Sequence, residues 1–127
     1  MSLISKSIVT LIALMLIIIL GFVLSRLGRP YNQLIFNVHK IIALVLVVYS
    51  FIYIKKQLVT VEPGRIIVVV LVLILICIVA LFATGAMLSI GKVSQVLLKR
   101  IHLSSTIVLV VSIVIFLVEL IHKLKNT

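Results

Sequence analysis

Four long apolar runs, separated by three short polar breaks, dominate the chain. The runs extend from about Ile8 to Leu24, Leu34 to Ile54, Ile66 to Leu88 and Val96 to Leu120. A bilayer's hydrocarbon core is roughly 30 Å thick and takes about 20 apolar residues of helix to cross. All four runs therefore read as spans. Gly28-Arg29-Pro30, Glu62-Pro63-Gly64 and Gly91-Lys92 supply the turn signals between them. The pattern predicts helices over about 8–25, 33–56, 66–89 and 95–124. With links this short, the expected fold is all-α: an integral membrane, antiparallel four-helix bundle forming a single domain over residues 1–127. Both termini then lie on the same side of the membrane.

The first run is kept as a span and not as a cleaved leader. Its apolar core is too long, and Ser25-Arg26-Leu27-Gly28 is a poor cleavage site.

Composition agrees with the pattern. The chain has 127 residues, is 65% hydrophobic, and sets twelve Lys and Arg against two acids, Glu62 and Glu119. A soluble domain of this size leaves too much surface in water to hide so much apolar side chain. A net charge of +10 in a soluble protein would point to nucleic acid, but here the cations flank the spans, where they anchor to anionic headgroups. No nucleic-acid partner is expected. Lys6, Lys55, Lys56, Arg65, Lys123 and Lys125 fall at one end; Arg26, Arg29, Lys40, Lys92, Lys99 and Arg100 fall at the other. With the cations so evenly split, the positive-inside rule favours neither orientation. The expected location is a prokaryotic cell membrane, crossed four times. Cys77 is the single cysteine, which excludes dithiol redox chemistry and leaves a small buried residue.

Laying the first two helices over the last two uncovers a repeat. "GFVLSRLG" (21 to 28) resembles "GAMLSIG" (85 to 91), and "VHKIIALVLVV" (38 to 48) resembles "IHLSSTIVLVV" (101 to 111). His39 falls over His102. The Gly-to-His spacing is eighteen residues from 21 to 39 and seventeen from 85 to 102, so one insertion in the first loop reconciles the halves. Matching Leu and Val carry little weight in apolar sequence; matching Gly and His, in a chain with five Gly and three His, carry more.

A titratable ring inside an apolar run costs free energy unless something uses it. In an up-down-up-down bundle helices 2 and 4 are diagonal, so His39 and His102 sit at similar depth facing the bundle axis. Neighbouring helices pack roughly 8–10 Å apart, giving a diagonal of about 11–14 Å. Two imidazoles cannot touch across that gap, but they can share a metal held about 2 Å from each nitrogen. A haem b with two axial histidines meets the requirement. Gly21 and Gly85, at the same depth on helices 1 and 3, are expected to clear space for the macrocycle. Their bland reading is helix packing, common for small residues in membrane bundles.

The face below His39 carries Ile42, Ala43, Leu46, Ser50 and Tyr53; that below His102 carries Ser105, Thr106, Leu109, Ile113 and Phe116. Ala43, Ser105 and Thr106 are small, and Arg26, Arg29, Lys92, Lys99 and Arg100 are placed to hold propionates. His122 lies about 30 Å further along helix 4 and roughly 160° around it, so it reads as interfacial. Glu119 is expected to pair with Lys123.

Paired histidines on the even helices, glycines on the odd ones and the "His39-Lys40-Ile-Ile-Ala" opening make this chain resemble the transmembrane b-type cytochromes, over all four spans. The resemblance implies axial ligands His39 and His102, haem-contacting Gly21 and Gly85, one-electron transfer, and exchange with quinone or with a redox partner protein or membrane-complex subunit. It also implies a second His about fourteen residues along each even helix. Tyr53 and Phe116 stand there, so one haem is expected.

Two other classes compete. One is a cofactor-free structural or assembly subunit with interfacial histidines. The other, a small transporter, lacks ionisable groups at mid-span, where Tyr49, Ser50, Cys77 and Ser112 lie. Hydrolytic chemistry has no carboxylate pair, and the chain has no Asp.

Overall fold

The computed structural model describes residues 3–60, 62–91 and 94–126. Four helices follow one another: α1 (Leu3–Leu27), α2 (Gln33–Thr60), α3 (Arg65–Ile90) and α4 (Gln95–Asn126). No strand occurs among the described residues. The segments Ile8–Leu27, Gln33–Val59, Arg65–Ile90 and Gln95–Lys123 are each long and apolar enough to cross a membrane. The expected all-α fold of four such helices is therefore present.

The helices overrun the apolar runs because backbone hydrogen bonding, not hydrophobicity, decides where a helix stops. α2 carries on through Lys55 and Lys56 to Thr60, and Pro63 lies just beyond, disfavouring helix in the residue before it. Gly28 and Gly91, the closing glycines of the repeated motif, both adopt positive φ, 72° and 77°. That left-handed conformation ends a helix at little cost only where no Cβ is present. At Gly91 the N–H donates to the Met87 carbonyl at 3.1 Å. Asn32 starts α2: its Oδ1 accepts from the N–H groups of Leu34 (3.0 Å) and Ile35 (3.2 Å), covering donors that a helix start leaves without partners.

The chain divides into two compact units, Met1–Gln57 and Leu58–Thr127. The first holds the α1–α2 hairpin. Leu14 and Leu24 of α1 are its buried residues, and His39, Ile42, Ala43, Leu46, Ser50 and Tyr53 form a half-buried stripe down α2. This is the face that the helical period assigns to His39.

The second unit is the α3–α4 hairpin. Ile67, Val70, Ile74, Cys77 and Thr84 are buried along one side of α3, and Leu98, Ser112, Phe116 and Leu120 along one side of α4. Steps of three, four and seven on α3, and of four and fourteen on α4, put each set on a single seam. The antiparallel register is fixed at both ends: Gly85 meets His102 at one, Gly64 meets Lys123 at the other. Cys77 is a buried free thiol, as its position in an apolar run implies.

Candidate functional site

Each hairpin seats one histidine on one glycine. In the first, a Cβ on Gly21 would stand 3.3 Å from His39 Cε1 and 3.9 Å from Nδ1; in the second, a Cβ on Gly85 would stand 3.7 Å from His102 Cε1. The repeat read from the sequence thus has a local counterpart: the same ring edge against the same missing side chain. In both, the space that the glycine leaves is taken by the imidazole of the same hairpin. The sequence pattern alone assigned that space to a macrocycle.

The second half adds a hydroxyl. Thr84 Oγ1 lies 2.8 Å from His102 Nδ1, 2.7 Å from the Ala80 carbonyl and 3.3 Å from the Leu81 carbonyl. A hydroxyl has one hydrogen, and a carbonyl can only accept. The short contact to Ala80 takes that hydrogen. The bond to the ring is then donated by Nδ1–H into the Thr84 oxygen, which makes Nε2 the nitrogen that carries the in-plane lone pair. This tautomer follows from the hydrogen-bond network. It is the form in which a histidine ligates metal through Nε2, with the other ring nitrogen oriented by a neighbour. Thr84 does not stand out in the sequence. Its only signal there is its place directly before the repeated glycine.

The first half lacks this group. By the glycine register, the residue matching Thr84 is Leu20. His39 Nδ1 is buried without a hydrogen bond, and the ring's partner is the Ile17 main chain.

The remaining candidates distribute as follows. Ala43 and Ser105 are half-buried on the histidine faces. Thr106 Oγ1 donates to the His102 carbonyl at 2.9 Å, a back-bond to the preceding turn. Arg26 and Arg29 are exposed and lie over aromatic rings, Arg26 over Phe22 at 5.1 Å and Arg29 over Tyr31 at 5.6 Å. Lys40 lies over Phe36 at 4.3 Å, whose ring stacks with Tyr31 at 6.0 Å. Lys99 is half-buried and Arg100 exposed, in the first turns of α4. Lys92 lies outside the described residues. His122 is exposed. Phe116, at the place of a second axial histidine, is only 4% exposed and packs in the α3–α4 seam.

Lys123 also has a partner outside α4. Lys123 Nζ donates to the main-chain carbonyl of Glu62 at 2.6 Å, so the lysine reaches back to the start of its own hairpin.

Each hairpin offers one imidazole, a side chain of the kind that can serve as an axial ligand of a haem. A porphyrin brings four nitrogens of its own and asks the protein for two neutral imidazoles, so no cluster of three or more ligating side chains is needed; none occurs among the described residues. In the second hairpin the Thr84 contact leaves the in-plane lone pair of His102 on Nε2; in the first, His39 Nδ1 is buried without a hydrogen bond. Compared with family models, curated proteins and solved structures, the chain matches none.

Proposed function

We propose that this chain is a multi-pass membrane protein that binds a single haem b through His39 and His102 and transfers one electron at a time. The observation that carries the reading is the Thr84 bond to His102 Nδ1, which presents Nε2 as the ligating nitrogen, set within a His-on-Gly seat that the other hairpin repeats. When bound, the haem supplies reversible one-electron chemistry. The protein's part is to hold two imidazoles in the right tautomer, exclude water with aliphatic side chains, and offer cations at the histidine end. Arg26, Arg29, Lys99 and Arg100 are the propionate partners in this reading. The donor or acceptor is a quinol or a redox protein at that membrane face.

The test is an absorption spectrum of the purified protein, made with ample haem, before and after dithionite. A b-type α-band is expected on reduction, and it should disappear in His39→Ala or His102→Ala. A wild-type chain with no Soret absorption overturns the reading.

One observation favours a second reading, a cofactor-free structural subunit: both rings are already packed against their own hairpin's glycine. In that case neither histidine variant changes any spectrum, and both lower hairpin stability.

A further inference from the structure

The two histidines have matching seats but unequal support. Gly21 and Gly85 receive the same Cε1 edge, yet the residue before each glycine differs: Leu20 in one half, Thr84 in the other. Only His102 is tied at Nδ1, by the Thr84 hydroxyl at 2.8 Å, while that hydroxyl is itself anchored on the Ala80 carbonyl at 2.7 Å. His39 Nδ1 is buried and unbonded. His39 has no side-chain hydroxyl at Nδ1 to select its tautomer; the ring's partner is the Ile17 main chain. A histidine held at Nδ1 has its tautomer and ring plane set before any metal arrives.

We propose that Thr84 is a positioning residue that makes His102 the primary ligand. In that reading the α3–α4 hairpin would hold the prepared ligand and the α1–α2 hairpin the unprepared one. This rests on the haem reading above. Thr84 does not touch the metal; it acts through His102, by fixing the tautomer and the ring plane. Preorganisation of this kind accounts for about 10–100-fold of metal affinity in sites where an outer partner has been removed. The same reasoning predicts unequal losses from the two histidines: removing His39 leaves the prepared ligand in place, and removing His102 leaves the unprepared one.

The experiment has two arms. In haem-free protein in detergent, ¹⁵N-labelled histidine is observed by NMR, with His39→Ala and His122→Ala used for assignment. His102 should show Nδ1–H and a lone pair on Nε2. Thr84→Val, which keeps the side chain's shape, should lose that pattern, and Thr84→Ser should restore it. In the second arm haem is titrated into each protein. Thr84→Val should bind about 10–100-fold more weakly than wild type, Thr84→Ser should recover most of the difference, and His102→Ala should lose more affinity than His39→Ala. Equal losses from the two histidine variants overturn the proposal, as does a Thr84→Val titration that matches wild type, or a His39 ring already showing the same fixed tautomer. A wild-type chain that takes up no haem removes the haem reading itself, and this proposal with it; the two failures are told apart by that single control.

Discussion

The imidazole of His39 lies against the bare backbone of Gly21. A Cβ at that position would stand 3.3 Å from Cε1, against 3.7 Å for the corresponding contact of Gly85 with His102. Carbon atoms attract best at about 3.5–4.0 Å, so the first distance is inside comfortable contact and the second is within it. The two seats are alike in design and differ in slack.

Alanine should separate them. In a helix interior Ala is favoured over Gly by about 1 kcal/mol, and Gly85→Ala should keep most of that gain. Gly21→Ala must push the His39 ring aside, and overpacking of this kind costs about 1–3 kcal/mol. Unfolding of the detergent-solubilised protein by a denaturing surfactant should show Gly21→Ala less stable than Gly85→Ala by about 1–2 kcal/mol. Indistinguishable midpoints would mean that the His39 ring yields freely.

Giving the first half the hydroxyl it lacks is the converse test of Thr84. Leu20→Thr places an Oγ1 one residue before Gly21, where Thr84 stands before Gly85. The expected result is that His39 Nδ1 gains a partner, a bond worth about 1 kcal/mol net, and that its ¹⁵N shifts move to those of His102. His39 signals identical to wild type would show that the two helix pairs are not rotated alike.

The helices were legible in the sequence for a reason specific to lipid: backbone groups there must bond within the segment, so a long apolar run has few options besides helix. Gly21, Gly85, His39 and His102 were legible because rare residues stood out against an aliphatic background. Thr84 was not. A threonine in such a helix usually bonds back to its own preceding turn, and Thr84 does this too; that it also meets His102 depends on how α3 and α4 are rotated, which the packing of the seam, Ile67 to Thr84 on α3 and Leu98 to Leu120 on α4, decides. The contact of Lys123 with residue 62 escaped the sequence for a related reason. The i,i+4 rule looks along one helix, and the carbonyl it reaches belongs to residue 62.

That contact has its own consequence. The Lys123 side chain crosses to Glu62 and passes Gly64 so closely that a Cβ there would be 3.1 Å from Nζ, tying the end of α4 to the start of α3. Lys123→Met keeps the stem and loses the donor, and about 1 kcal/mol of local stability should go with it. Amide hydrogens at residues 64–68 should then exchange several-fold faster. Glu119→Gln should leave those rates unchanged, because the bond is to a main-chain oxygen; a comparable acceleration in Glu119→Gln would restore the helical ion pair.

Ser112 tests the seam itself. It is 1% exposed, and its hydroxyl donates to the Val108 carbonyl at 2.7 Å, so its polar group is satisfied within α4 and its small size is what faces the packed interior. Small residues at such places let membrane helices approach closely. Ser112→Ala should therefore be nearly neutral, whereas Ser112→Leu should cost about 1–3 kcal/mol by overpacking. The register set by Gly85 with His102 and Gly64 with Lys123 puts Ser112 within about one turn of Cys77, which supplies a reporter. Cys77 is 5% exposed and should react slowly with an apolar thiol reagent in wild type and in Ser112→Ala, and faster in Ser112→Leu as the helices are forced apart. Equal labelling in all three proteins would place the close approach of α3 and α4 somewhere other than Ser112.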